Sequence, residues 1–468
     1  MLKLSILVFT IFALTLLVQP IEAVNDNPFN EYPIPQNRSN SFAITTDDNG
    51  NVWFSQRNIH SIARFNPESL TFKSYPVPTK QESLEIWGIT IGPRGFIWFS
   101  DATENKIRHL DPETGKFFDF LILNNDSLPW DLKFDTDNNL WFTEFGTGKL
   151  ARVEILDPTS LIEYEIPSNF SSPSYLEFDA QGNIWIVESG PGKLAKFNPD
   201  TNIFTEYILP HDDVGGGTVN PIGLAIDKNG DIWFSQFRTS RIGQLNPDTG
   251  QIKEYSTGTL TAGTYQIIAD NDGNIWTIQF RADRLIKISP SDKMISEYKI
   301  PSNNTFAETL VSDKFGNIWF IERDTNTLGF LNSSKPKPIQ IVFDTKNFQI
   351  AKHRDSITTM KVKSDQQTFF LARGNMRVTG ILDAFDVTFS PSRIEKTDSF
   401  SDIQVNLNSD RELENGIYYL TIGASTMDLA YYRGTFIEIN VIDSVYDPLF
   451  LVGIILSIIS AVVIWRKK

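Results

Sequence analysis

The sequence predicts an all-β fold: a seven-bladed β-propeller with N-terminal strand closure, followed by a small β-sandwich and a C-terminal transmembrane helix. Three observations predict the propeller. A tryptophan recurs at intervals of 43 to 48 residues, turn sequences divide each interval into four short strands, and this period stops near residue 335. Repeats of this length with four strands each are typical of β-propellers, because radial stacking leaves only short, protected strand edges.

The repeat is organised around the tryptophan. Its copies are Trp53, Trp98, Trp141, Trp185, Trp233, Trp276 and Trp319. The residue six positions earlier is aspartate in every repeat except the second, which has Gly92. Around Trp233, the turn sequences Asp-Lys-Asn-Gly and Asn-Pro-Asp-Thr-Gly separate runs of β-branched and aromatic residues, as expected for strands joined by tight turns. We interpret the tryptophan as the residue that packs one blade against the next.

The two ends of the propeller are predicted to share one blade. Repeats one to six end in a strand of the type found at 163–167 and 297–301, Glu-Tyr-x-Ile-Pro, whereas the seventh repeat has none. The missing segment occurs before the first repeat, at residues 31–35. We therefore predict that this segment closes the ring as the outer strand of the last blade, and that the propeller spans residues 24–335.

Residues 336–443 lack the period and are predicted to form a separate β-sandwich of immunoglobulin-like type. Its clearest strands lie within 414–422 and 432–441, where apolar and polar residues alternate. The simplest function for such a domain is a spacer.

Both chain ends resemble membrane-targeting segments. Residues 1–23 combine an early lysine with an apolar core and a small-residue cleavage site, which predicts a signal peptide. Residues 448–465 are free of charged side chains and precede the basic tail 466–468, which predicts a transmembrane helix at 447–465 with its basic end in the cytoplasm. The expected location is the plasma membrane of a prokaryotic cell, as a single-pass protein with its N-terminal ectodomain outside.

Composition restricts the function classes. There are 57 acidic and 42 basic residues, a net charge of -15, which argues against a nucleic-acid partner. A small molecule, a cation or another cell-surface protein is the expected partner. Cysteine is absent, which excludes disulfides, thiol nucleophiles and cysteine-bound zinc.

A polar residue stands three positions after each tryptophan, and repeat symmetry places these residues on one ring around the axis. Four of them are carboxylates, Asp101, Glu144, Glu188 and Glu322. Oxygen ligands of this kind could bind Mg²⁺ or Ca²⁺. The alternative, which we favour, is that each meets a cation of its own hairpin, since five repeats carry Lys or Arg five positions further on.

The sequences Trp141-Phe-Thr-Glu144 with Lys149-Leu150, and Trp233-Phe-Ser-Gln236 with Arg241-Ile242-Gly243, resemble the repeat of the streptogramin (virginiamycin B) lyases. The resemblance covers roughly residues 29–333. It implies a metal-assisted β-elimination that opens a cyclic depsipeptide, with a histidine as the general base and Mg²⁺ stabilising the developing enolate.

The general base is difficult to place. The four histidines are His60, His109, His211 and His353, and none begins an inner strand. Those positions, expected to point into the channel, carry Trp87-Gly88, Trp130-Asp131, Ser174-Tyr175, Ile222-Gly223, Tyr265-Gln266 and Ala307-Glu308. His211 opens a Gly-rich, acidic loop, so we nominate His211 with Glu188 as catalytic residues. The alternative is that this loop is only a connection between blades.

These observations leave competing functions. The first is a membrane-anchored cell-surface propeller with a lyase-like scaffold that binds a small molecule or a protein partner. The alternative is a divalent-cation-dependent lyase of the streptogramin type. A purely structural envelope protein is the third.

Overall fold

The computed structural model describes residues 27–442, except 121–124, 211–216, 258, 260, 261, 344, 352–354, 375–384 and 410–414. In this part of the chain the regular structure is β-strand, with two single 3₁₀ turns, Arg57–Ile59 and Pro93–Gly95. The closing strand comes first, followed by the strands of the repeats in chain order.

The strands of the N-terminal half are β1 (Phe29–Pro33), β2 (Ser41–Thr46), β3 (Val52–Gln56), β4 (Ser61–Asn66), β5 (Thr71–Pro76), β6 (Ile89–Ile91), β7 (Ile97–Asp101), β8 (Lys106–Leu110), β9 (Phe117–Phe120), β10 (Pro129–Phe134), β11 (Asn139–Glu144), β12 (Lys149–Glu154), β13 (Asp157–Glu165), β14 (Pro173–Phe178), β15 (Ile184–Glu188), β16 (Lys193–Asn198) and β17 (Ile203–Ile208). The later repeats contain β18 (Pro221–Ile226), β19 (Ile232–Gln236), β20 (Arg241–Leu245), β21 (Ile252–Ser256), β22 (Thr264–Ala269), β23 (Ile275–Gln279), β24 (Arg284–Ser289), β25 (Met294–Lys299), β26 (Ala307–Ser312), β27 (Ile318–Glu322) and β28 (Thr327–Leu331).

The first five repeats each form an antiparallel sheet of four strands in sequence order, from an inner strand at the axis to an outer strand at the rim. The sixth and seventh repeats have the same strand arrangement, but their sheets also include strands from other parts of the chain. The second strand of every sheet is buried along its whole length, since sheets pack on both of its faces. The inner strands β2, β6, β10, β14, β18, β22 and β26 together line one central cavity, which makes the repeats a β-propeller.

The inner strands are irregular at a common point. In β10 the pairing with β11 shifts between Pro129 and Leu132, and the same shift occurs in the inner strands of five other repeats. The bulge removes a backbone N–H from the ladder. In β10 that N–H belongs to Asp131 and donates to Thr143 Oγ1 at 3.1 Å. Thr143 Oγ1 in turn donates to the carbonyl of Ser174 in the next repeat at 2.6 Å, so the bulges also link neighbouring sheets.

The N-terminal segment closes the ring. Strand β1 pairs antiparallel with β28, with Phe29 opposite Leu331 and Pro33 opposite Thr327, and is the outer strand of the last sheet. Beyond it, Asn326 Nδ2 donates to the carbonyl of Ile34 at 2.9 Å. The last repeat therefore combines three strands from its own sequence with one from the N-terminal segment.

The C-terminal region contains β29 (Ile339–Phe343), β30 (Asn347–Ala351), β31 (Asp355–Ser364), β32 (Thr368–Gly374), β33 (Phe385–Ser390), β34 (Arg393–Ile394), β35 (Thr397–Ser409), β36 (Gly416–Thr426) and β37 (Tyr431–Ile442). One sheet has the order β29-β31-β35-β33. The other continues the sheet of the sixth repeat, because β37 pairs antiparallel with its outer strand β25, from Met294 opposite Thr435 to Tyr298 opposite Tyr431. This continuous sheet was not predicted from the sequence, which indicated a separate C-terminal domain.

The predicted C-terminal transmembrane helix, and with it the single-pass location in the plasma membrane, needs correction. A bilayer-spanning helix requires about 20 apolar residues. No helix within residues 27–442, as far as they are described, is long and apolar enough to cross a membrane. The apolar residues of this part of the chain lie instead in strands that bury them between sheets. The segments predicted as signal peptide (1–23), transmembrane helix (447–465) and basic tail (466–468) lie outside the described residues.

Candidate functional site

The ring of polar residues lies at the ends of the second strands. All four carboxylates predicted as metal ligands, Asp101, Glu144, Glu188 and Glu322, are fully buried. They contact their own repeats: Arg108 Nη1 donates to Asp101 Oδ2 at 3.2 Å, and Thr147 Oγ1 donates to Glu144 Oε2 at 2.5 Å. In the described part of the chain, no group of three or more His, Asp or Glu side chains is placed to hold a metal ion. These residues therefore give no basis for deriving a step through Mg²⁺ or Ca²⁺.

The lysines opposite Glu144 and Glu188 form ion pairs with other glutamates, not with these two carboxylates as predicted. Lys149 is opposite Glu144 in the register of β11 and β12, but its Nζ binds Glu163 of the fourth strand at 2.8 Å. Lys193 is likewise opposite Glu188 and binds Glu206 at 2.7 Å. The fourth-strand glutamate is the partner that sequence reasoning missed. Its recurrence in the Glu-Tyr-x-Ile-Pro pattern was the available signal.

Glu188 is consequently held in an acidic environment. Burial is the main cause that raises its pKa, to about 7. The charge of Lys193 lowers the pKa and the neighbouring Glu206 raises it, while the Ser168 hydroxyl donates to Glu206 Oε1 at 2.7 Å. Glu188 therefore carries its proton for part of the time at neutral pH, with Lys193 already paired to Glu206.

The described histidines lie away from the central cavity. His60 has a left-handed backbone, and its Nε2 is 3.2 Å from the carbonyl oxygen of Glu82. His109 in β8 stacks against Trp98 with ring centroids 4.5 Å apart, and burial lowers its pKa. Neither lines the cavity. His211, nominated as the base, and His353 lie outside the described residues, so the pairing of His211 with Glu188 stays a prediction.

The central cavity has a volume of about 360 Å³ and is lined by the inner strands. Its polar side chains tie neighbouring strands together. Asp131 Oδ2 accepts the backbone N–H of Leu176 at 3.1 Å, and Lys133 forms an ion pair with Glu177. Burial raises the pKa of Asp131 to about 6, while the charge of Lys133 lowers it. These contacts make the cavity wall a rigid frame.

One side of the channel mouth is aromatic. Trp87 and Trp130, at the starts of neighbouring inner strands, have ring centroids 4.4 Å apart. Phe145 lies 5.0 Å from Trp130, and Tyr175 lies 6.4 Å from it. Trp87, Trp130 and Phe145 are half-buried, so the stack presents aromatic surface to solvent. The Nε1 of Trp130 and the hydroxyl of Tyr175 are buried without a hydrogen-bond partner in the described structure.

The opposite side combines aromatic rings with arginines. Phe280 lies 6.0 Å from Phe237 and 5.1 Å from Phe306. The guanidinium of Arg281 lies 5.3 Å from the Phe237 ring centroid, and that of Arg323 lies 5.5 Å from the Phe280 centroid. We call the two sides together the aromatic mouth: Trp87, Trp130, Phe145, Tyr175, Phe237, Phe280, Arg281, Phe306 and Arg323.

Sequence reasoning identified only part of the aromatic mouth. It placed Trp87, Trp130 and Tyr175 at the channel because they begin inner strands. It missed Phe145, Phe237 and Phe280, which follow the polar ring residue directly in their repeats. That fixed position in the repeat was the signal, because the second strand ends beside the start of the inner strand.

Comparison with known proteins identifies the family. The model of the virginiamycin B lyase family matches residues 21–216 and 213–337. A streptogramin B lyase structure is 24% identical, covering 65% of this chain and 97% of that chain with a TM-score of 0.59. Selenomethionine-substituted virginiamycin B lyase from Staphylococcus aureus is 23% identical, covering 65% and 98% with a TM-score of 0.58.

A catalytically inactive virginiamycin B lyase from Staphylococcus aureus, in complex with quinupristin, is 22% identical over the same 65% of this chain, with a TM-score of 0.59. No match was found among curated proteins. At these identities the structural likeness shows the fold alone, whereas the family model matches more than half of the sequence. The chain belongs to the virginiamycin B lyase family.

Proposed function

We propose that this protein binds a small molecule at the aromatic mouth, and that the ligand carries both an aromatic group and an anionic group. The observation that supports the proposal most directly is the presence of two aromatic clusters beside the starts of the inner strands, one around Trp130 and one around Phe280, the second of which carries the exposed Arg281. Ligand sites of proteins are typically concave and apolar, with few polar groups that orient the ligand.

The aromatic rings supply the apolar part of the site. Trp87 and Trp130 are half-buried, and their rings contact each other at a tilt of 38° with centroids 4.4 Å apart. Exposed tryptophan faces are costly in water and favour contact with a flat or cyclic ligand. The framework beneath them is rigid, because inner strands are tied together through Asp131 and Thr143.

Arg281 supplies the charge. It is exposed, stacks on Phe237 and Phe280, and forms no ion pair with a described residue. Arg323, by contrast, is bound to Glu308 at 2.8 Å. A guanidinium that lies over aromatic rings and has no ion-pair partner can use its N–H groups to bind a carboxylate or sulfonate. Arg281 is therefore the expected anchor for the anionic group.

A streptogramin-type lyase is the alternative function, and membership of the family supports it. That activity would require a base, for which His211 with Glu188 stays a prediction, and a divalent cation. Glu188 is fully buried beside Glu206 and Lys193, so it needs a rearrangement to reach a ligand. Binding at the aromatic mouth needs no such change.

The test uses the full-length protein with 1-anilinonaphthalene-8-sulfonate, an aromatic sulfonate, followed by fluorescence. Saturable binding is expected, and Arg281→Ala and Trp130→Ala should each weaken it by about tenfold or more, the equivalent of about 1.4 kcal/mol. Arg94→Ala is the matched control, because Arg94 is an exposed arginine in the turn that follows β6, at the other end of the inner strand. Equal binding by all four proteins would refute the site.

Quinupristin, with and without Mg²⁺, separates binding from catalysis. A product of unchanged mass with an altered fragmentation pattern would identify β-elimination and establish the alternative function. Recovery of intact quinupristin, together with arginine-dependent binding of the sulfonate, would support the binding function.

A further inference from the structure

We propose that the ring of the propeller is closed by a shared proton: Glu31 of the closing strand β1 and Glu322 of β27 form a carboxylic acid–carboxylate pair, and loss of this proton in mildly alkaline solution loosens the closing strand. The proposal is independent of the ligand site. It concerns the seam at which the two ends of the propeller meet.

The two carboxyl groups meet inside the last sheet. Glu31 lies opposite Gly329 of β28, and Glu322, on the other side of β28, lies opposite Thr327. Glu322 is fully buried, and its Oε2 accepts a hydrogen bond from Thr325 Oγ1 at 2.8 Å. Its Oε1 is buried with no conventional donor and interacts with the carboxyl of Glu31. Two carboxylates in such contact repel unless a proton lies between them.

The fifth repeat shows how the same position is satisfied without a proton. There the ring residue is Gln236, whose Nε2 donates to Glu254 Oε1 at 2.5 Å. Arg241 compensates the charge, with Nη1 at 3.2 Å from Glu254 Oε2. In the last repeat the amide is replaced by the carboxyl of Glu322 and the arginine by Thr327. A protonated Glu322 can donate a hydrogen bond to Glu31, as Gln236 does to Glu254, and it carries no charge that an arginine would have to compensate.

The other charges near Glu322 do not compensate it. Besides Glu31 on β1, Asp283 in the turn before β24 also acts on Glu322, and it is likewise acidic. Burial is the main cause that raises the pKa of Glu322, to about 8. The hydrogen bond from Thr325 lowers the pKa, and Glu31 and Asp283 raise it further.

The direction of the pH effect follows from proton linkage. An unfolded chain ionises Glu322 near the ordinary glutamate pKa, about 4.3, whereas the folded protein keeps the proton up to about pH 8. The folded state therefore binds more protons than the unfolded state between these values. The contribution of this pair to stability is complete below the lower pKa and is lost as pH rises through the upper one.

Hydrogen–deuterium exchange of the full-length protein tests the proposal at the seam itself. After correction for intrinsic exchange rates, amide protection in the peptide 27–36 should fall by about a hundredfold between pH 6 and pH 9, because proton linkage lowers it by about tenfold for each pH unit up to the upper pKa of about 8. Glu322→Gln, which supplies a permanent donor, should keep its protection at pH 9. Glu31→Gln is a second variant with the same expectation.

Glu188→Gln is the matched control, because it alters a similar carboxyl pair in the fourth repeat, away from the seam. It should leave the pH dependence of peptide 27–36 as in the wild type. Equal protection of the wild-type peptide at both pH values would overturn the proposal, as would a parallel loss of protection in both glutamine variants.

Discussion

The turns before Trp185 and Trp98 occupy the same place in their repeats, yet they stabilise the tryptophan differently. Asp179 accepts the Trp185 Nε1–H at 3.0 Å and the backbone N–H of Asn183 at 2.9 Å. The second repeat has Gly92 instead, and Trp98 Nε1 is buried with no hydrogen-bond partner in the described structure. Both tryptophans nevertheless pack between sheets, at most 4% exposed.

A second difference accompanies the first. The residue opposite Trp185 on the third strand is Lys196, whose Nζ lies 5.5 Å from the indole and 3.8 Å from Asp179. The residue opposite Trp98 is His109, which stacks on the indole. Where the carboxylate is absent the lysine is absent too. The comparison teaches that burial of the indole is the common requirement. The residue opposite the indole varies more freely than the aspartate, since Gln244 faces Trp233 and Phe330 faces Trp319 although both repeats keep the aspartate.

The largest effect on stability is expected from removing the aspartate that accepts the indole N–H of Trp185. Asp179→Ala leaves buried donors of Trp185 and Asn183 without an acceptor, so the free energy of unfolding should fall by about 2–4 kcal/mol. Denaturation in urea measures it. Asp200→Ala, at an exposed turn of the same repeat, should change the free energy by less than about 0.5 kcal/mol. An equal effect of the two variants would show that the aspartate has no such role.

Substituting Gly92, which replaces the aspartate in the second repeat, should lower the free energy of unfolding by less than Asp179→Ala does. A Cβ on Gly92 would lie 2.4 Å from Trp98 Cδ1, while the backbone conformation of Gly92 is open to any residue. We expect Gly92→Ala to lower the free energy of unfolding by about 1–3 kcal/mol through overpacking. The exposed Glu113→Ala of the same repeat serves as the control. An unchanged urea midpoint for Gly92→Ala would mean that the indole can move aside.

We expect His109 in the second repeat to have a smaller effect on stability, and one that depends on pH. Burial lowers the pKa of His109, with Asp111 acting weakly in the opposite direction. The unfolded state therefore binds more protons below about pH 6.5, and the stability contributed by neutral His109 is lost as pH falls. His109→Phe, which preserves stacking, should make the melting temperature less sensitive to pH between 7.5 and 5.5. Identical pH profiles of variant and wild type would contradict the assignment.

Of these side chains, Lys196 beside Trp185 should contribute least to the free energy of unfolding. Lys196 is part-exposed, so its cation–π contact and its distance of 3.8 Å from Asp179 are weakened by solvent. Lys196→Met should lower the free energy of unfolding by about 0.5 kcal/mol, in urea at low salt. Lys116→Met, an exposed lysine of the second repeat, is the control and should have no measurable effect. A loss comparable to that of Asp179→Ala would show that the charge, and not the aspartate acceptor, stabilises the indole.

Much of the propeller could be predicted because its information is local. Turn residues and alternating apolar residues recur in every repeat, and the unpaired Glu-Tyr-Pro-Ile-Pro segment identified the closing strand that pairs with β28. The site was predicted less completely. Trp130 and Tyr175 were placed at the channel. Phe237 and Phe280 were missed although they occupy a fixed position in the repeat, and nothing in the repeat pattern marks Arg281.

The predicted membrane helix illustrates another limit. An apolar run reports hydrophobicity, whereas the described structure buries its apolar residues in sheets and contains no helix able to cross a bilayer. Similarly, the carboxylates Glu144 and Glu188 share a repeat position, which suggested one metal-binding ring. The structure places each within the interior of its own sheet instead.

By itself, the sequence determined the repeat, its four strands, the packing tryptophan and the closing strand, because each depends on residues that are close together or repeated. Tertiary structure alone decided three further features: the continuous sheet of β25 and β37, the aromatic mouth, and the environment of Glu322 beside Glu31. The physical reason is the same for all three. Pairing of strand edges, stacking of rings and sharing of a proton depend on distances between residues far apart in the chain, and those distances exist only once the ring has closed.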